Sequence, residues 1–383
     1  MKIANVRAVL YQAHNLITGW KVSLGGRDTY DLLFVRIDTD KGLTGVGISS
    51  PGAAYIMGDT AANHLQLVNH LFGPAIIGLD PFDIEAIMLK LDSLAMKAEA
   101  AKSGIDLALH DLMGKALDLP ACQLFGGMVH PRIRVTRLMG MYGPKEMAEK
   151  VKRIVGKGFS ALKLKVGTTL QEDVERVRRV REAVGPSVMI TVDFNQACSA
   201  KEAIRRIEKM EPYDVTLIEQ PVQASDLKGM AVVTKSVRPR VMADESVNSF
   251  AEAMQIIETG AADVISLKFP KMGGILKAKK IAALCEAAGM EYLVGTTPGC
   301  RLADAANVHL AVSLKDLTLP CEIGEFERMA DDPCTGLEIV DGFLSPPPRP
   351  GLGVEVDLKR VGLAATDPPK AGSRRQSWTI SRP

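Results

Sequence analysis

Lys163 and Lys165 interrupt the apolar segment ALKLKVG, residues 161–167. Side chains two apart in a strand share a face, so two ammonium groups are held close together. Polar and charged residues recur at the ends of later strand-like segments: Asp193 and Asn195, Glu219, Asp244 followed by Glu245, Lys268, and Glu322. Asp193, Glu219 and Asp244 follow one another at intervals of 26 and 25 residues. Three carboxylates brought to one point need a cation. An oxygen-only set, with no histidine or cysteine at these ends, suits Mg²⁺ or Mn²⁺ and disfavours zinc. Any one of these charges alone could be a solvated strand end or a salt bridge. Their recurrence at six strand ends points to a site.

The scaffold follows from the spacing. From about residue 132, short apolar strands alternate with amphipathic helices roughly every 25 residues. The strand candidates are RIRVTRLMG, ALKLKV, VMITVDFN, DVTLIEQP, RVMADES, DVISLKF, EYLVGTT and LTLPCEIG. Helical patterns cover 145–157, 171–184, 199–211, 249–259, 275–289 and 301–313. Eight strands without a G-x-G-x-x-G fingerprint predict an α/β fold of the (β/α)8 type, a modified TIM barrel; a doubly wound sheet is the alternative. The C-terminal strand ends form the active-site face of such a barrel. Its second and sixth strands are opposed, so Lys163 and Lys165 face Lys268 across the mouth. Burial, a neighbouring ammonium and a divalent cation all disfavour a charged lysine. A neutral lysine could remove a proton α to a carboxylate, and the metal would stabilise the enediolate formed.

Before the barrel, IANVRAVLYQ, YDLLFVRIDTD and KGLTGVG read as strands, with DKG as a hairpin turn. Helical patterns follow near 58–73, 81–95 and 99–117, giving an N-terminal α+β capping domain. The expected division is a cap over 1–125, a catalytic barrel over 126–325, a segment returning to the cap over 326–360 and a flexible tail over 361–383. The loop NLITGWKVSLGGRDT (15–29) reads as a lid in which Trp20 covers substrate, or as a surface loop with Trp20 packed on the cap. The formal net charge of +2 over 383 residues gives no reason to expect nucleic acid or a membrane surface as partner. No apolar run reaches about 18 residues, and the N-terminus lacks a signal-peptide pattern. Six cysteines without a C-x-x-C pair fit a reduced, cytoplasmic protein without structural zinc.

Up to about residue 358 the chain resembles the enolase superfamily, specifically its muconate-lactonizing subgroup. The motifs that carry the likeness are KLK (163–165), DFNQ (193–196), EQP (219–221), ADES (243–246) and LKFPKMGG (267–274). AKSGIDLALHDLMGKALDLP (101–120) is similar to the family's capping helix. The resemblance implies metal ligation by Asp193, Glu219 and Asp244. It also implies acid/base roles for Lys165 and Lys268, and polarisation of a substrate carboxylate by Lys163. A small carboxylate substrate and a homo-oligomer are expected. Three features depart from the pattern. VGTTPGC after the seventh strand has no histidine, EIGEFE stands where muconate-lactonizing enzymes resemble ELFGP, and GVGISSPG lacks the glutamate of GxGE. All three fall where substrate is recognised.

Several further assignments complete the candidate site. Glu322 is expected to contact substrate or a substrate-bound water, or else to pair with Arg328 or a cap lysine. Asn195 and Glu245 are candidate outer partners of the metal ligands, Asn195 being equally consistent with an ordinary strand-end hydrogen bonder. Tyr55, Trp20, Thr296 and Thr297 are candidate substrate contacts. The likeness of PGAAY (51–55) to the cycloisomerase capping loop ranks a muconate-type cycloisomerase first. Racemases or epimerases of N-acyl amino acids, dipeptides or proline derivatives are the alternative, with an o-succinylbenzoate synthase-like dehydratase. A Schiff-base aldolase using Lys268 is a separate class, but it needs no metal. A non-catalytic scaffold is a third class. His309, inside an apolar helical stretch, reads as core.

Overall fold

Three antiparallel strands begin the chain. Ile3–His14 pairs with Thr29–Thr39, which pairs with Thr44–Ser49. The structure is a computed structural model and describes residues 1–16, 21–22, 25–26, 28–50 and 59–364. The central strand is apolar on both faces because both are covered. Leu33, Val35 and Ile37 pack into the cap's own core, whereas Tyr30, Leu32 and Phe34 join the core shared with the barrel. Alternate side chains of one strand thus bind the cap together and fasten it to the barrel. Glu99–Leu117, the long cap helix, lies tight against the third strand. A Cβ at Gly47 would stand 2.1 Å from the Gly104 carbonyl oxygen, so only glycine permits this approach.

Seven parallel strands follow in one sheet: Arg137–Met139, Ala161–Lys165, Met189–Asp193, Leu217–Glu219, Arg240–Ala243, Val264–Leu267 and Glu291–Val294. The eighth position is taken by a shorter segment than LTLPCEIG predicts. Cys321 forms a parallel bridge with Val135 on the first-strand side, and Glu322 N–H donates to the Val294 carbonyl of the seventh at 2.9 Å. Those contacts close the barrel. Inside it, Leu217, Met242, Val264, Leu293 and Leu319 form a separate apolar cluster. Leu217 and Met242 lie two residues before Glu219 and Asp244, so this layer is the floor on which the charged residues stand.

Helix starts are legible in the sequence. Thr169, Ser199 and Ser249 each accept the backbone N–H of a glutamate three residues on, at the predicted helix starts. One helix, Leu227–Ser236, escapes the sequence reading. Its Gly229 and the Val-Val-Thr run at 232–234 are weak helix formers, and tertiary packing of Met230 and Val233 supplies what propensity does not. Among the described residues, no helix is long and apolar enough to cross a membrane. All six cysteines are free and buried.

After the barrel the chain runs back along the cap. Tyr11 Oη donates to the Asp331 carbonyl, Leu352 N–H donates to Asp111 Oδ1, and Arg36 donates to the Leu363 carbonyl. Most of the expected tail, from 365 onward, lies outside the described residues. His309 is fully buried and joins three parts of the chain. Its Nδ1 accepts the Cys122 N–H, so Nε2 carries the proton and donates to the Leu352 carbonyl, each at 3.3 Å. Burial pushes its pKa down to about 4. An unfolded chain takes up a proton near pH 6.5 that the native imidazole refuses, so stability falls as pH drops from about 6.5 to 4. That interval is worth roughly 3 kcal/mol. Urea unfolding of wild type and a His309→Gln variant across pH 4–7 is expected to show a shallower loss in the variant.

Candidate active site

Register alone assembles the first row. Lys165 lies opposite Asp193 and Asp193 opposite Glu219 on three adjacent strands, each only about 4.8 Å from the next. Lys165 Nζ donates to Asp193 Oδ2 at 2.5 Å and to Asn195 Oδ1 at 2.9 Å. Lys163 Nζ is 3.2 Å from Asp193, donates to Glu322 at 2.6 Å, and touches Glu219. From the opposite wall Lys268 contacts Asp244 and approaches Glu219 to 3.8 Å. Asn195 Nδ2 donates to Glu245 at 3.1 Å. Seven sequence-derived candidates (Lys163, Lys165, Asp193, Glu219, Asp244, Lys268 and Glu322) thus form one buried cluster, with Asn195 and Glu245 at its edge.

The lysines differ from expectation. Burial works to lower the Lys163 pKa, but attraction to Glu219, Glu322, Asp193 and Asp244 carries it well above the ordinary value. Lys268 is likewise raised, burial being outweighed chiefly by Asp244. The carboxylates in contact with these two lysines outweigh burial. Asp244 is held well below the usual range, because Lys268, Lys271 and Lys163 overcome burial. Glu219 goes the other way: burial, with Asp193 and Glu322 beside it, pushes it well above. Contact with Glu219 and its neighbouring carboxylates governs Lys163, whereas burial and the adjacent anions govern Glu219.

Two members of the cluster are absent from the sequence reading. Lys271 is buried and donates to Asp244 Oδ1 at 2.7 Å and also to its carbonyl; burial lowers its pKa. Its place in LKFPKMGG, three residues after Lys268 at a helical turn, was the available signal. Gln220 is fully buried, with φ at 35°. Its Oε1 accepts the N–H groups of Asp244 and Ser246, while Nε2 donates to Ser246 Oγ. An uncharged residue in EQP therefore shapes the turn carrying Asp244. Asn195 and Gln196 are also left-handed, so three strained non-glycine residues flank the carboxylates.

Other candidates fall elsewhere. Thr296 and Thr297 lie on the loop after the seventh strand, where Thr296 hydrogen-bonds to the Thr297 carbonyl and Asn307. Arg328 pairs with Glu325 at 2.5 Å rather than with Glu322. Trp20 and Tyr55 lie outside the described residues. Of the predicted lid, the paired residues Lys21–Val22 and Gly25–Gly26 are described, and the Lys21 carbonyl accepts the Met141 N–H beside the first barrel strand. Cys300, Asp332 and Cys334 bring ligand atoms within 4.8 Å of one another. Asp332 already accepts from Arg301 and the Cys334 N–H, which makes that cluster a packing and hydrogen-bonding unit.

The donor set fits a hard divalent cation. Asp193, Glu219 and Asp244 offer oxygen alone, and neither buried Glu219 oxygen has an aligned hydrogen-bond donor, Lys163 touching it outside hydrogen-bond geometry.

A capped eight-stranded barrel with carboxylates and opposed lysines at its mouth defines a class of enzyme, and comparison with known proteins defines the family. Residues 146–361 match the model described as enolase C-terminal domain-like. Residues 6–126 match that of the mandelate racemase / muconate lactonizing enzyme N-terminal domain. The chain belongs to this family of the enolase superfamily and is an enzyme of the isomerase type. It is 40% identical over 323 residues to the hydrophobic dipeptide epimerase of Enterococcus faecalis, covering 83% of this chain and 88% of that one. Identity to the N-succinyl-L-Arg/Lys racemase of Bacillus cereus is 34%, over 88% and 90% of the chains. The solved E. faecalis dipeptide epimerase with Mg and L-Leu-L-Tyr superposes with a TM-score of 0.88 at 37% identity, over 92% and 99%. Muconate cycloisomerases match at lower identity.

The capping helix holds this mouth in place. Asp106 Oδ2 accepts the Ile275 N–H at 2.7 Å, capping helix Ile275–Ala288 from outside. Gly274, with φ at 120°, leaves room for it; a Cβ there would lie 2.4 Å from Asp106 Cγ. Gly274→Ala is expected to cost about 3 kcal/mol in urea unfolding, against about 1 kcal/mol for Gly260→Ala, where φ is also positive but the space is open.

Proposed function

We propose that the protein is a Mg²⁺-dependent racemase or epimerase acting at the α-carbon of an N-acyl amino acid or dipeptide that carries a free carboxylate. The observation that carries this reading is the pair Lys165 and Lys268. They come from the second and sixth strands, four apart in the sheet, and each contacts a carboxylate of the Asp193–Glu219–Asp244 set. Two bases on opposite walls can address both faces of one carbon. The relatives favour this over the cycloisomerase suggested by PGAAY, since an epimerase and a racemase match at 40% and 34% identity. The departure of EIGEFE from ELFGP points the same way.

In this reading Asp193, Glu219 and Asp244 hold the cation, Mg²⁺ or Mn²⁺, with Asn195, Glu245, Gln220 and Lys271 fixing their positions. When bound, the ion supplies positive charge that stabilises the enediolate form of the substrate. Lys163, held by Glu322, donates to the substrate carboxylate. One of Lys165 and Lys268 takes the α-proton, and the C–H electron pair moves toward the carboxylate. The opposite lysine returns a proton to the other face. Glu322 lies where it can contact the substrate beside Lys163.

The metal assignment is tested by titration calorimetry. Asp193→Asn, Glu219→Gln and Asp244→Asn are each expected to weaken Mg²⁺ binding by about tenfold or more. Unchanged affinity in all three would remove the assignment. The lysine assignment is tested in D₂O by NMR, with a panel of N-acyl amino acids and dipeptides. Lys165→Ala is expected to abolish α-proton exchange of one stereoisomer and Lys268→Ala that of the other. Loss in only one variant, with the other merely slowed, would indicate cycloisomerisation or elimination; wild-type exchange in both would refute the acid/base roles.

A further inference from the structure

Asp304 stands apart from the lysine–carboxylate cluster, in the first turn of helix Arg301–Val312, and is fully buried. Its oxygens are directed at the turn that follows Glu322. Oδ1 accepts the Gly324 N–H at 2.9 Å and Oδ2 accepts the Phe326 N–H at 3.0 Å. Asn307 Nδ2 donates to Oδ1 at 3.4 Å and to Thr296 Oγ1 at 3.2 Å. One carboxylate therefore holds the eighth-strand turn by two backbone donors, and through Asn307 it is tied to the seventh-strand loop. Arg137 Nη1 binds the same turn from its other side, at the Gly324 carbonyl. Burial pushes the Asp304 pKa up to about 7 even though both N–H bonds favour the anion. The 322–326 turn is itself buried, so its backbone N–H groups need internal acceptors, and Asp304 supplies two of them from one side chain.

The charged cluster is drawn from strands two to six, with Glu322 alone reaching it from the eighth. Loops seven and eight carry Glu322, the Glu325–Arg328 pair and Thr296. We infer that Asp304 is a positioning residue for substrate recognition: it fixes the 322–326 turn and the Thr296 loop as one unit, so that substrate affinity rather than proton transfer depends on it. This rests on the isomerase reading above.

Asp304→Asn tests it, because the isosteric amide must set an NH₂ group against one of two backbone donors. Three readouts are taken together: α-proton exchange kinetics in D₂O, Mg²⁺ calorimetry, and amide hydrogen exchange of residues 322–328. The expected result is KM raised about tenfold or more, kcat within about threefold, Mg²⁺ affinity unchanged, and faster exchange at Gly324 and Phe326. Asn307→Ala breaks the link to Thr296 but leaves both turn bonds, and is expected to raise KM by a smaller factor, about threefold. If Asp304→Asn fails to fold, this second variant decides. Unchanged KM and amide exchange, or a lowered Tm with unchanged KM, would overturn the inference. So would parallel loss of kcat and Mg²⁺ affinity. If wild type exchanges no α-proton on the panel, the isomerase reading fails first, and the positioning claim then stands or falls on amide exchange.

Discussion

Nine ionisable side chains share the barrel mouth with almost no exposure to water. Asp193, Glu219, Asp244, Glu245 and Glu322 meet Lys163, Lys165, Lys268 and Lys271. Each would be costly alone, since an unpaired buried charge costs several kcal/mol. Their cost is offset by mutual contact, which requires every strand end to be in register. With all nine ionised, the cluster has one more negative than positive charge. A divalent cation together with a monoanionic substrate would bring that total to zero.

Such a cluster needs a rigid base and a fixed wall. The base is the apolar layer of Leu217, Met242, Val264, Leu293 and Leu319, which fixes strand heights below the carboxylates. The wall behind Lys268 is set by the cap. Helix Glu99–Leu117 supplies Asp106 to the Ile275 N–H, and Glu99 forms an ion pair with Lys277 at 3.1 Å. The short turn Phe269–Met272, immediately before these contacts, carries Lys271, so cap docking reaches the charged site through one turn of helix. Docking of the cap thus bears on the position of one wall of the charged cluster.

What the sequence made legible was whatever repeats. Carboxylates at 25-residue intervals, capping serines and threonines, and buried strands all carry a periodic or positional signal. Less legible were features whose meaning is purely spatial. Gln220 bears no charge, and its role comes from a left-handed backbone that points its amide at Asp244 and Ser246. Asp304 reads as an ordinary first-turn helix acid, since Gly324 and Phe326 are some twenty residues away in sequence. The eighth strand is shorter than the run LTLPCEIG predicts, because its pairing to the first strand reduces to the Cys321 bridge and adjoining bonds. Lys163 and Lys268 show the same limit. Sequence identifies which charges exist, but their sign of influence depends on which are nearest, and here carboxylates are nearest to both Lys163 and Lys268.

Family machinery and family specificity separate along the barrel. Strands two to six supply most of the charged cluster, and motifs there follow the superfamily pattern. Strands seven and eight supply EIGEFE and VGTTPGC, where this chain departs from it. The structure gives that division a physical basis. Groups on strands two to six are locked to one another by ion pairs, so altering one would leave a buried charge uncompensated. Among the described residues, loops seven and eight are tied mainly to Asp304, Asn307 and Arg137 outside the cluster, with Glu322 contacting Lys163 directly. Residues there can change without unbalancing the charges below. On the proposed reading, substrate choice is free to vary at one side of the mouth while proton-transfer chemistry stays fixed at the other.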